Sequence, residues 1–209
     1  YNHDITWSPS ITTKILACTL CGACSTNCKV AMKDHSTDIL EALRATAVTQ
    51  GFGPMPEQKR FTQSLEEQHN PYNEPHDERL SWLDSARTAA HNNRPTILYF
   101  AGCTSSYRRS EIASSTSKIL DEAGLKFTVL DDEWCCGSPL LRTGQTDAAK
   151  KQAEHNIELI NKSNAETLVT SCAGCYRAFV KDYPDRLGLK PKSKILHITQ
   201  FLESLLSNR

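Results

Sequence analysis

Nine cysteines carry the chemistry open to this chain, and they fall into two groups: Cys18, Cys21, Cys24 and Cys28, then Cys103, Cys135, Cys136, Cys172 and Cys175. The first group reads C-x2-C-x2-C-x3-C. Thiolates at this spacing wrap one compact centre from a single loop. Gly22, Ala23 and Ser25 between them are small enough for backbone N–H groups to approach the sulfurs. This is the bacterial ferredoxin run for a cubane [4Fe–4S] cluster. A structural zinc site separates two ligand pairs by a longer spacer, which is missing here. The run departs from its usual form at Lys29, where a proline commonly follows the last cysteine, so only the local turn is affected. Cys28 either closes this cluster or serves a second one whose other half lies outside these residues.

The second group is spread over more of the chain, as C-x31-C-C-G-x34-C-x2-C from Cys103 to Cys175. Taken pair by pair it has other readings. Cys135–Cys136 could form a strained vicinal disulfide, and Cys172-x-x-Cys175 at a helix start could be a thioredoxin-type dithiol. Four of the five could also hold zinc and leave one thiol spare. His197, in KILHITQFL, ends a predicted strand and is a candidate proton donor because histidine titrates near neutrality. A plain hydrogen-bonded or surface histidine is its alternative. Arg108, Arg109, Arg142 and Arg177 flank the cysteines and could meet an anionic substrate, donate to sulfur, or simply be solvated.

Strands and helices have to bring residues so far apart in sequence together. After Pro95 the pattern alternates: strands over 96–100, 127–130, 167–170 and 195–198, with helices over 110–123 and 145–163, one opening at 175–180, and a last one following 198. That alternation predicts an α/β fold with a parallel sheet covered by helices. Cys103, Cys135–Cys136 and Cys172 each follow a strand, and in open α/β sheets the ligand crevice lies at the strands' carboxyl ends. The N-terminal part reads as small and helical, with helices over 38–48, 57–69 and 77–91 and breakers at GFGPMP, NPYNEP and NNRP. Asp38 is the expected cap of the first of these, and Ile39, Leu40, Leu43 and Ala47 its apolar stripe. Two domains are expected, residues 1–92 and 93–209.

Composition removes several function classes. Lys+Arg and Asp+Glu are both 24, so the formal charge is zero and no basic footprint for nucleic acid exists. No apolar run is long enough for a membrane span, and YNHDITWSPS is not a signal peptide. A first residue of Tyr leaves room for a preceding segment. Nine is an odd cysteine count and rules out full internal disulfide pairing, so a reducing, cytoplasmic setting and metal ligation are favoured. Gly51-Phe-Gly53 lacks a preceding strand and a third glycine, so flavin or nicotinamide is expected on a partner rather than on this chain.

The five-cysteine spacing, with the phrases FAGCTSSYR, CCGSPLL, SCAGCYRAF and HITQFL, resembles the CCG cysteine-rich domain. That domain occurs in heterodisulfide reductase catalytic subunits and in iron–sulfur subunits of glycolate, lactate and anaerobic glycerol-3-phosphate dehydrogenases. The resemblance covers roughly residues 95–200, and the ferredoxin run before it matches the family's order. It implies a noncubane [4Fe–4S] cluster on Cys103, Cys135, Cys136, Cys172 and Cys175. Family members commonly carry two CCG units, and this chain shows one. The implied activity is oxidoreductase: electrons pass from the cubane to the noncubane cluster, which reduces a disulfide. The alternative is a relay subunit of a membrane- or quinone-linked dehydrogenase complex. Implied partners are a flavoprotein, a hydrogenase, or a membrane cytochrome or quinone subunit, with attachment to the inner face of the membrane through that partner.

Overall fold

The computed structural model describes residues 5–30, 35–83 and 96–207. The expected domain boundary at 92/93, and most of the helix expected over 77–91, lie outside the described residues. The described part of that segment, 77–83, begins with most of a 3-10 turn, His76–Leu80.

Four parallel strands, β1 (Ile97–Phe100), β2 (Phe127–Thr128), β3 (Thr167–Thr170) and β4 (Lys194–His197), pair in the order β2-β1-β3-β4. Ile97 faces Phe127 on one side and Thr167 on the other, and Thr167 faces Lys194. Side chains alternate across a strand, so ILYF must fill two cores. Leu98 and Phe100 pack with Leu168 against one face, covered by Ala153, Ile157 and Ile160 and by Phe179 and Tyr183. Ile97 and Tyr99 pack with Val169 on the other, under Ala113, Leu120 and Phe201. A parallel sheet buried on both faces explains why its central strand β1 reads as a continuous apolar run. The first-face helix α8 is Thr146–Ser163, while α6 (Ser110–Glu122) and α10 (Ile198–Ser207) lie on the second. The chain leaves β1 for β2 on one side and comes back to β3 on the other. The sheet's direction therefore reverses between β1 and β3, where open α/β sheets form their crevice.

β2 is shorter than the expected 127–130. Val129 and Leu130 are buried but lie past the end of the ladder, and the amides that follow β1, Ala101 and Gly102, donate to the Glu133 carboxylate at 3.0 and 2.9 Å. The helix expected at 175–180 starts earlier, as α9 (Ala173–Arg177), and continues into a wider π-helical stretch, Ala178–Leu187, that contains Pro184. Two short helices, α5 (Cys103–Tyr107) and α7 (Ser138–Arg142), follow the cysteine loops.

The N-terminal helices are α1 (Pro9–Ala17), α2 (Ala23–Asn27), α3 (Ser36–Thr49) and α4 (Pro56–Gln68). In α3 the buried residues are Glu41, Arg44 and Ala47, while Ile39 is exposed. Of the expected apolar stripe Ala47 is buried, but Glu41 and Arg44 take the other buried positions, because α3 packs on charged partners. His35, not Asp38, takes the cap position, and Asp38 accepts from Lys181 at 3.1 Å. Leu65 of α4 packs with Cys103, Cys135, Leu140 and Leu141, so this helix closes over the second cysteine group.

Candidate metal centre

The five cysteines of the second group meet at the carboxyl ends of β1 and β3. Cys103 opens α5 behind Gly102, Cys172 is the cap of α9, and Cys135–Cys136 precede Gly137, the cap of α7. Their thiols neighbour one another in the order Cys103–Cys135–Cys136–Cys175–Cys172. Cys103, Cys135, Cys136 and Cys175 are buried and Cys172 is half-buried. Contact with Cys103 and Cys136 pushes the Cys135 thiol well up, and contact with Cys136 and Cys172 does the same to Cys175. The Cys136 thiol is driven well down, first by Cys135 and Cys175. Cys172 is lowered to about 6, first by the Cys175 thiol and, against burial, by the backbone N–H groups of Cys175 and Gly174.

Two glycines leave room for this gathering. Gly102 has φ 78 and ψ 156, and a Cβ there would sit 2.9 Å from Cys175 Sγ. Gly137, the glycine of the CCG triplet, has φ 71, and a Cβ there would lie 3.3 Å from Ala149 Cα and O. The vicinal pair is held by its backbone. Asn156 accepts from Trp134 N at 2.9 Å and donates to the carbonyls of Trp134 and Cys135 at 3.0 and 3.1 Å. Cys135 N donates to His69 O, and Tyr183 Oη donates to Cys136 O, both at 2.9 Å. Burial pushes the Tyr183 phenol well up, so it remains a donor. Trp134 is stacked between the rings of His69 and His155, at centroid distances of 3.7 and 3.8 Å.

The charge beside the thiols comes from residues that the flanking-arginine reading overlooks. Arg79 is buried, with Nη1 and Nη2 at 3.8 and 3.9 Å from Cys103 Sγ, and it pairs with buried Glu133. Burial opposes the guanidinium's charge, but Glu133 and Cys103 raise it well above its usual value. Arg108 instead pairs with Glu74 and covers the Tyr72 ring, and Arg109 lies near Glu111 at the surface. Arg142 and Arg177 are drawn to Glu41 and Asp182. His197 ends β4, where its Nδ1 bonds Thr199 Oγ1 at 2.9 Å and its ring meets the edge of Tyr176. It sits beside α9, where its hydrogen-bond and ring neighbours are Thr199, Gln200 and Tyr176 rather than a thiol.

The first group occupies the loop around α2. Leu20 and Gly22 adopt positive φ, 55 and 80, which turns the chain tightly enough for Leu20 N to donate to Cys18 Sγ at 3.4 Å. The Ala23 N–H and the Thr19 side chain lower the Cys21 thiol. Cys28 N donates to Cys24 O at 3.0 Å. Cys21 and Cys24 are exposed, Cys18 and Cys28 half-buried. Arg44 ties this loop to the rest of the chain. Its guanidinium donates to Ile15 O at 2.8 and 3.1 Å, to Cys18 O, and to Arg142 O at 2.6 Å.

Both groups suit iron–sulfur ligation by donor type: thiols only, each group with backbone N–H groups aimed at sulfur, and one with a guanidinium beside it. Among the described residues no three His, Cys, Asp or Glu side chains are set to hold a single ion. Among the described helices none is long and apolar enough to cross a membrane.

Residues 97–180 match the family model of the CCG cysteine-rich domain. The chain is 39% identical over 193 residues to a dihydromethanophenazine:CoB–CoM heterodisulfide reductase subunit of Methanosarcina barkeri, covering 90% of this chain and 46% of the relative. It is 31% identical to a fumarate reductase (CoM/CoB) subunit of Methanothermobacter marburgensis, over 90% of this chain and 36% of that one. It is 30% identical to the probable iron–sulfur-binding oxidoreductase FadF of Bacillus subtilis, over 100% of this chain and 30% of the relative. The chain thus spans less than half the length of these relatives. No solved structure matches it.

Proposed function

Since the chain belongs to the CCG-domain iron–sulfur oxidoreductases and is related to a heterodisulfide reductase subunit, we propose that it reduces a disulfide with electrons passed between two [4Fe–4S] clusters. In this reading Cys18, Cys21, Cys24 and Cys28, within residues 1–92, hold the cubane cluster. Cys103, Cys135, Cys136, Cys172 and Cys175, within residues 93–209, hold the noncubane one. The observation that carries it is the meeting of five thiols from three separate loops at the sheet's reversal point.

A bound cluster supplies one-electron chemistry at thiolate-ligated iron. The chain's own residues do the rest. Asn156, Tyr183 and the His69 carbonyl fix the backbone of the vicinal cysteines. Leu65, Leu140 and Leu141 keep water from Cys103 and Cys135. Reducing a disulfide takes two electrons and two protons and yields two thiols, and His197 at the end of β4 is our candidate donor of one proton. The electrons come from a partner flavoprotein, hydrogenase, or membrane cytochrome or quinone subunit, which holds this chain in the cytoplasm at the inner face of the membrane.

Reconstituted protein tests this reading. Iron and sulfide should load on both groups, and adding thiols or the CoB–CoM heterodisulfide to oxidised protein should change its paramagnetic spectrum. Zinc without iron would end the iron–sulfur reading. Iron present with an unchanged spectrum would leave a relay role and refute disulfide reduction.

A further inference from the structure

We infer that Arg79 is a positioning residue for the second cysteine group, holding a guanidinium against the Cys103 sulfur and raising the reduction potential of a cluster bound there. The inference rests on the five-thiol reading above. Both Nη atoms face Cys103 Sγ, at 3.8 and 3.9 Å, so one planar fork addresses one sulfur. Arg79 is 1% and Glu133 2% exposed. The head group has little freedom to move. Glu133 is occupied by Arg79 and by the amides of Ala101 and Gly102, which belong to the loop that presents Cys103. The Tyr107 ring lies 5.6 Å from the guanidinium carbon on another side.

Stability alone does not account for this pair. A buried ion pair is commonly no more stabilising than an apolar pair of the same volume. Here Arg79 Nε is also buried without a hydrogen-bond partner, which adds a desolvation cost. What the arrangement does supply is a fixed positive charge and N–H donors beside a sulfur ligand, in surroundings that screen little. Such groups favour the reduced form of an iron–sulfur cluster, because reduction adds negative charge. Glu133 offsets part of that charge, while the two amides it accepts from, Ala101 and Gly102, take up part of its own.

The test is a mediated redox titration of the loaded full chain, followed by paramagnetic resonance of each cluster. The double variant Arg79→Met/Glu133→Gln removes both charges while Gln keeps an acceptor for the two amides. Its second-group cluster should be about tenfold less reduced at a fixed potential, a midpoint about 59 mV lower for a one-electron couple. The first-group cluster serves as an internal control and should not move. Glu133→Gln alone leaves Arg79 less compensated and should shift the midpoint upward. An unchanged second midpoint in the double variant, with iron content equal to the parent, overturns the inference. If the double variant fails to fold, Glu133→Gln decides, and a midpoint unchanged or lowered there overturns it. A parent protein that loads no iron at the second group refutes the five-thiol reading instead, and is recognised by that.

Discussion

Replacing Gly102 with alanine is the sharpest test of how the five thiols are packed. Two costs arise at that position. Its φ of 78 and ψ of 156 lie in a region open to glycine almost alone, where another residue costs about 1–3 kcal/mol. The added Cβ would also stand 2.9 Å from Cys175 Sγ and 3.8 Å from Cys172 Cβ. Cys175 is 4% exposed and enclosed by its neighbours, so the sulfur has little room to yield, and overpacking of this kind costs about 1–3 kcal/mol. Together these amount to about 2–6 kcal/mol, against a total of about 5–15 kcal/mol for an ordinary protein. Gly188→Ala is the matched control: φ is 66, nothing lies within 4 Å, and backbone strain of about 1–2 kcal/mol is all it should cost. Denaturant unfolding of both variants, with iron assayed on each, separates the terms. Gly102→Ala should be the less stable and should lose iron from the second group. If it unfolds with Gly188→Ala and keeps its iron, residue 102 is not packed against the Cys175 sulfur and the site's geometry is wrong.

Two further perturbations address the scaffold. Arg44→Met removes the donors to Ile15, Cys18 and Arg142; urea unfolding should register a loss of about 1.5–3 kcal/mol, with iron lost from the first group, and loss from the second group instead would contradict the assignment. Burial raises the Tyr99 phenol to about 12, so its contribution is complete below pH ~10, where the unfolded phenol titrates, and is lost as pH rises toward 12. That loss is roughly 2–3 kcal/mol, and Tyr99→Phe should flatten the decline in unfolding midpoint above pH ~10; an equally steep decline in the variant would refute the buried phenol.

What the sequence made legible is what depends on local pattern. The run ILYF, the turn glycines and the helical periodicity of 110–123 and 145–163 yield the right elements within a residue or two, since each is governed by its own neighbours. The cysteines were legible by type and spacing, and the sheet brings the second five together. The residues around them were not. Arg79 and Glu133 are 54 positions apart and Arg44 and Arg142 are 98 apart, and neither pair leaves a periodic trace. The ionic part of the α3 face leaves no such trace either. Periodicity marks Ile39 and Leu43 as buried only if the partner surface is apolar, and here it carries Arg142, Arg177 and Arg186. The arginines flanking the cysteines were natural candidates for contact with sulfur, but nearby carboxylates hold them, and no sequence distance encodes that choice.

The charged layer on α3 also bears on how two electron carriers would be kept at one spacing. Apolar surfaces interdigitate in more than one register, whereas a guanidinium fork fixes direction as well as distance. Arg44 joins the Cys18 carbonyl to the Arg142 carbonyl through a single side chain, so the first cysteine loop is referred directly to the helix that follows Cys136 and Gly137. Glu41 accepts from Arg142, Arg177 and Arg186, which extends the attachment to the segment following Cys175. A Cβ at Gly144 would collide with the Arg44 carbonyl, so the backbones also meet closely there. Transfer between two centres falls steeply with distance, and a slip between these parts would cost rate before it cost stability. The ionic layer adds little stability by comparison with apolar packing. Its directional bonds are what tie the first cysteine loop and the five-thiol site to each other.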